Sequence, residues 1–230
     1  MLGKLSQHHQ YLESMASRLS HELRTPIAVV RSSLENLRLA PADGRVYIER
    51  AEEGLKRLGT ILTRMSEATR LEQGLASVER EPFDLAAVVA GCVEGYRLAY
   101  PSQAFEIALP AEKAVASGSP DLAAQLLDKL VANAVDFSRE GEPVRVSLAV
   151  SDGAAALAVT NRGPQLPEAM RGKLFDSMIS VRPERTGAEP HLGLGLYVAR
   201  LIAEFHGGAI RAENLASGAG VAVTATFRLA

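Results

Sequence analysis

The chain has 230 residues, 47% of them hydrophobic and 23% charged, with a formal net charge of -2. That is the balance of a soluble globular protein with room for one large domain or two small ones, and it argues against nucleic acid as a partner. The one cysteine, Cys92, excludes a disulfide within the chain and fits a reducing compartment, and aromatics at 5% with no tryptophan leave no stacking platform for single strands. No run of about 18 apolar residues and no signal-peptide pattern is present, so the piece is expected to be cytoplasmic, with any membrane or sensing segment lying outside it.

In chain order, Leu12, Met15, Ala16, Leu19, Leu23, Ile27, Val30, Leu34 and Leu37 repeat at the three-then-four spacing of one helix face. The spacing predicts a helix from near Leu2 to Leu39. Within it lies the polar string Ser20-His21-Glu22-Leu23-Arg24-Thr25-Pro26. His21 falls about 200° round from both Leu19 and Leu23, off the apolar stripe, so its ring should face solvent. Pro26 frees the carbonyl of Glu22, four positions earlier, and predicts a kink beside that ring. A turn is expected at Pro41-Ala42-Asp43-Gly44. A second helix then follows through Leu55, Leu58, Ile61, Leu62, Met65, Ala68 and Leu71, ending at Gln73-Gly74. Two helices cannot bury both stripes alone. The pair either dimerises into a four-helix bundle or packs on the second half of the chain.

After Glu79-Arg80-Glu81-Pro82 helices and strands alternate. Asp84 caps a helix over about Leu85 to Leu98, and Cys92 within it reads as core. Short strands are expected at Phe105 to Leu109 and Val115-Ala116, and Ser119-Pro120 opens a helix to about Phe137. Val144 to Val150 and Ala154 to Thr160, around Asp152-Gly153, read as a hairpin with a primed turn. A short helix over Glu168 to Phe175, a longer one over Leu194 to Phe205, and strands at Ala209 to Glu213 and Val221 to Leu229 complete an α/β sandwich with one sheet face covered. His206, before Gly207-Gly208, reads as a cation at a helix C-terminus.

Three polar features of this half belong together. Lys129, Asn133 and Asp136 share one stripe of a helix otherwise rich in Leu, Val and Ala. Asn161-Arg162-Gly163-Pro164 ends a strand, and Gly193-Leu194-Gly195-Leu196 precedes a helix N-terminus, where backbone amides can approach phosphate. Their order and spacing resemble the N, G1 and G2 boxes of the GHKL ATP-binding fold, with Phe175-Asp176-Ser177-Met178 as the F box, and the His21 string resembles the H box of sensor histidine kinases.

The resemblance covers almost the whole chain. It implies a dimerisation and histidine-phosphotransfer domain over residues 1–78, a helical hairpin in a dimeric four-helix bundle, followed by an α/β-sandwich catalytic ATP-binding domain over 79–230. By the same resemblance His21 is the phosphoacceptor, Glu22 orients its ring and takes its proton, and Thr25 sits where phosphatase activity is linked. Asn133 is the Mg²⁺ ligand, and Gly163, Gly193, Leu194 and Gly195 line the ATP pocket. Implied partners are a second copy of the chain and the receiver domain of a response regulator, whose aspartate takes the phosphoryl group.

Departures from the family pattern are as informative. Asn161 stands where the family has Asp, the acceptor for the adenine amino group; losing a charge-assisted bond there costs about 1 to 2 kcal/mol. Lys129 replaces the first N-box asparagine and Asp136 the usual basic residue, so either the cation has moved along the helix to serve the phosphates from Lys129, or the pair is a plain surface pattern. Gln165 and His191 replace glycines. Arg182 and Arg185, in a short lid, are candidate phosphate contacts. A degenerate ATP domain on a phosphotransfer or docking module, and a chain dominated by phosphatase activity, are the alternative readings.

Overall fold

In a computed structural model of the chain, residues 2–40, 44–170, 172–177, 193–216 and 218–230 are described, with side chains at Ser17 and from Leu19 onward. They fall into two compact units, 1–70 with 177–194 and 71–176 with 195–230.

The first unit is built on two long helices, α1 (Leu2–Leu39) and α2 (Gly44–Gly74). α1 continues through Pro26 without interruption, and Pro26 is buried. Ala51, Gly54, Ile61 and Ala68 form the buried row of α2, the last three spaced by seven. A side chain on Gly54 would come within 2.7 Å of Val30 Cγ2 and 3.2 Å of the Pro26 carbonyl oxygen, so α2 sits against α1 backbone at the proline turn. A second row stays uncovered: Ile27 and Leu34 on α1, and Ile48, Leu55 and Leu62 on α2, are each about half exposed and again seven apart. Sustained seven-residue spacing of apolar side chains is the seam of a coiled-coil-like bundle. The turn expected at Pro41-Ala42-Asp43 lies outside the described residues.

The second unit comprises β1 (Glu81–Asp84), α3 (Leu85–Ala99), β2 (Phe105–Ala108), β3 (Val115–Gly118), α4 (Pro120–Phe137), β4 (Val144–Ser151), β5 (Ala154–Asn161), α5 (Gly195–Phe205), β6 (Ile210–Asn214) and β7 (Val221–Arg228). Five strands form a mixed sheet in the order β2-β4-β5-β7-β6, with β2 parallel to β4 and every other pair antiparallel; β1 and β3 make a separate antiparallel pair. α4 packs on β4 and β5, α5 on β6 and β7, and α3 on α4. The caps act as their residue types dictate. Asp84 accepts from the Ala86 amide at 3.1 Å, and the Ser119 hydroxyl accepts from the Leu122 amide at 3.3 Å, with Pro120 the first helical residue. Positive φ at Asp152 (49°) and Gly153 (72°) gives the primed turn between β4 and β5.

Three expectations change, and one strand has no signal in the sequence: β1 forms despite Pro82, because a two-stranded pair at the edge tolerates a missing donor. The helix expected over Glu168 to Phe175 shrinks to a 3₁₀ turn, Glu168–Met170, since Gly172 lowers helix propensity and the Lys173 and Leu174 amides both turn back to the Met170 carbonyl. Cys92 is half-buried rather than core, and burial raises its thiol pKa. His206 is not a surface cation. It is 1% exposed, in ring contact with Phe83, Phe205 and Phe227. Its Nδ1 lies 2.8 Å from the Ile202 carbonyl oxygen and its Nε2 accepts from the Ser119 amide at 3.2 Å, which together hold the neutral tautomer with the proton on Nδ1. Gly118 leaves room for the ring, since a Cβ there would collide with it.

Two predictions follow from this packing. Gly54→Val overpacks the α1–α2 crossing and should lower the unfolding free energy by about 2 kcal/mol, read by urea denaturation of the full chain. Burial holds the His206 pKa below its ordinary 6.5. The unfolded chain therefore takes up this proton first, so the stability is fully present above about pH 6.5 and is lost as the pH falls toward the folded-state value. Urea midpoints at about pH 7.5 and about pH 5.5 should differ in that direction, and His206→Leu should flatten the difference.

Candidate functional site

On α1, His21 and Thr25 are exposed one helical turn apart, and Glu22 is half-buried between them. The ring thus stands clear of the buried row, as the periodicity predicts. A neutral imidazole so placed is open to an electrophile, and the next residue supplies a carboxylate.

The second unit offers a different chemistry at the C-terminal ends of α4 and β5. The pleat of β5 sends Ala155, Leu157, Val159 and Asn161 to the buried face. Asn161 is thus the polar end of a core row. It is 5% exposed, and its Nδ2 is buried with no hydrogen-bond partner among the described residues. Just beyond it, Gly163 lies so close to the end of α4 that a Cβ would collide with the Phe137 carbonyl oxygen, and the Arg139 amide donates to the Arg162 carbonyl at 2.8 Å. This glycine is fixed by a close approach of strand and helix. Gly220, at φ 131°, backs the carbonyl of Asn161 in the same way.

On α4, Asn133 stands one turn before Phe137 and Lys129 one turn before Asn133, both half-buried. Neither makes a hydrogen bond or ion pair among the described residues. Asp136, next on the stripe, is exposed. Gly193 takes φ 63°, the left-handed region that favours glycine, Leu194 is buried, and Gly195 is the first residue of α5. Asp176 pairs with Arg200 of α5 at 3.3 Å, which ties the Phe175-Asp176 turn to that helix. Arg182, Arg185, His191 and Met178 lie outside the described residues.

The loop after β5 is held by clamps that the sequence does not signal. The Asn214 side chain accepts from the Leu166 amide at 2.7 Å and donates to the Leu166 carbonyl at 3.0 Å, and Gln165 Nε2 donates to the Gly218 carbonyl at 3.1 Å. Gln165, standing where a glycine was expected, is exposed and engaged with the β6–β7 connection. Partners 48 and 53 residues away carry no local sequence signal.

Two family models match the chain, the His Kinase A (phospho-acceptor) domain over residues 11–74 and the histidine kinase-, DNA gyrase B- and HSP90-like ATPase over residues 118–230. The chain belongs to the sensor histidine kinases. Its relatives include sensor protein CutS of Streptomyces coelicolor, 34% identical over 93% of this chain and 52% of that protein. Sensor protein ChvG of Agrobacterium fabrum is 30% identical over 95% of this chain and 38% of that protein. The chain therefore spans about half or less of the length of these relatives. The solved structure of histidine kinase ThkA in complex with response regulator protein TrrA shares the fold, with a TM-score of 0.71 at 21% identity over 98% of this chain and 64% of that one. Among the described residues of this histidine kinase, no helix is long and apolar enough to cross a membrane.

Proposed function

We propose that this chain is a kinase core that phosphorylates itself on His21 from ATP and passes the phosphoryl group to an aspartate of a response-regulator receiver domain. The division of labour is between residues 1–78, for dimerisation and phosphotransfer, and 79–230, for nucleotide. One observation carries the reading: at the end of β5 the Asn161 Nδ2 is buried and, among the described residues, without a partner, where Gly163 meets the helix that bears Lys129 and Asn133, neither of them paired among those residues. A polar group buried without a partner is costly in a pure scaffold and useful toward a ligand. The ATPase family match over this region names the ligand class.

In this reading the His21 lone pair forms a nitrogen–phosphorus bond as the γ-phosphoryl group leaves ADP. Glu22 fixes the ring tautomer and takes the imidazole proton. Thr25, one turn along the same face, is the residue that bears on phosphatase activity, in which water removes a phosphoryl group as inorganic phosphate. Asn133 offers Mg²⁺ one neutral oxygen, the remaining ligands being phosphate and water oxygens, and bound Mg²⁺ neutralises phosphate charge. Lys129, unpaired on the same helix face, supplies a cation to the phosphates, and Arg182 is a further phosphate contact. Gly193, Leu194 and Gly195 at the start of α5 bring backbone amides to the same group. The uncovered heptad row of α1 and α2 fits a second copy of the chain, closing a four-helix bundle. The receiver-domain partner is supported by the pairing of ThkA with TrrA in a structure of the same fold.

Incubation of the intact chain and of His21→Gln with γ-labelled ATP and Mg²⁺ tests the reaction. Acid-labile, base-stable label on the intact chain alone is expected, as phosphohistidine requires. A dimeric chain that takes no label supports instead the second reading, a phosphotransfer or docking module with a degenerate ATP domain, which Asn161 and Gln165 at expected Asp and Gly positions favour. Lys129→Ala should weaken ATP binding about ten-fold by calorimetry; unchanged affinity would mean that the lysine is an ordinary surface residue.

A further inference from the structure

The backbone of Leu166 is gripped by a side chain from the edge of the sheet, and few residue types can supply that grip. We propose that Asn214 is a positioning residue for the nucleotide: its side-chain amide fixes the backbone of Leu166, and with it the loop from Gly163 to Leu166, in the form that binds. This inference rests on the reading that the end of β5 and the polar stripe of α4 hold a nucleotide.

The sequence of the loop creates the need. Pro164, Gln165, Leu166 and Pro167 follow Gly163, and the two prolines carry no N–H, so the segment is short of backbone donors. Pro167 also disfavours helical backbone at Leu166, and in extended backbone the N–H and C=O of one residue point to the same side. Leu166 is 7% exposed, so both groups need partners. Asn214, the last residue of the edge strand β6, stands in for a neighbouring strand. The Leu166 amide donates to its Oδ1 at 2.7 Å, and its Nδ2 donates to the Leu166 carbonyl at 3.0 Å. A primary amide carries one donor and one acceptor side by side, as this pairing demands. A carboxylate offers two acceptors and sets one of them against the Leu166 carbonyl oxygen. The charged neighbours on β6, Arg211 and Glu213, alternate to the opposite face and pair with each other at 3.8 Å, so they do not compete for the amide.

The other end of the same loop is held by main chain, through Gly163 against the Phe137 carbonyl and the Arg139 amide on the Arg162 carbonyl. The loop is thus pinned to the end of α4 on one side and to β6 on the other. Gln165 adds one bond from an exposed residue, open to competition from water, whereas Asn214 makes two that are partly buried. A site that works by positioning loses affinity in proportion to the time its loop spends in other forms.

Calorimetry with MgADP on the full chain tests this. Asn214→Ala should weaken binding about ten-fold with the number of sites unchanged, whereas a variant that is merely part-unfolded lowers the number of sites. Asn214→Asp gives a sharper signature. Its ionised carboxylate repels the Leu166 carbonyl, but the protonated form again has one donor and one acceptor. Its deficit relative to the wild type at the same pH should therefore shrink as the pH falls from about 8 to about 5.5, while that of Asn214→Ala stays constant. Wild-type affinity in Asn214→Ala, or a deficit in Asn214→Asp that does not change with pH, overturns the proposal. Should the variants fold poorly, hydrogen exchange on the wild-type chain decides. Coupling is reciprocal, so saturating MgADP should slow exchange of the Leu166 amide about ten-fold, and an unchanged rate also overturns the proposal. A wild-type chain that binds no MgADP refutes the nucleotide reading itself, a result distinct from tight binding that is indifferent to the residue at 214.

Discussion

Much of the second unit depends on one close approach of backbone to backbone, where the loop leaving β5 meets the end of α4. Only a residue without a side chain fits at Gly163, against the Phe137 carbonyl, and the bond from the Arg139 amide to the Arg162 carbonyl locks the contact. Contacts between main-chain atoms have little slack, because neither partner can rotate away. The strand end that carries Asn161 and the helix face that carries Lys129 and Asn133 are thereby held as one rigid piece. Preorganisation of this kind is what a site acting by positioning and charge requires.

A second fixed point lies at the other end of α4. The neutral His206 ring joins three aromatic residues from β1, α5 and β7 to the amide of Ser119, the residue that caps α4. A ring that donates from Nδ1 and accepts at Nε2 satisfies two backbone groups inside an apolar cluster, so it adds direction to packing that hydrocarbon alone would leave unspecific. α4 is thus pinned at its start by a side chain and at its end by main chain.

How much of this is legible in the sequence depends on the range of the interaction. Short-range signals read well. The caps at Asp84 and Ser119, the Asp152-Gly153 turn and the apolar spacing of both long helices are written within a few residues, and they place the hairpin and the order of the α/β layers. What escapes needs a distant partner. His206 reads as a helix-terminal cation until Phe83 and Phe227 close over it. β1 is hidden by Pro82, harmless only because its neighbour is a lone edge strand. The Asn214 clamp on Leu166 joins residues 48 apart and has no local trace. At the candidate site, residue types point to Asn133, Asn161 and Gly163, whereas the reason Gly163 must be glycine and the lack of a partner for Asn161 belong to the folded chain.

The order of the sheet also has a kinetic meaning. β7, the last strand in sequence, lies between β5 and β6, and its pairing with β5 joins residues 154–161 to 221–228. Contacts so far apart along the chain form slowly, whereas α1 and α2 meet across a short connection and assemble early. During synthesis the hairpin is thus complete while the edge of β5 is still bare. Until β7 arrives, Asn161 lacks the backing of Gly220, so this corner is among the last parts of the molecule to exist, and a ribosome-bound chain would pair its two long helices before it could close the end of β5.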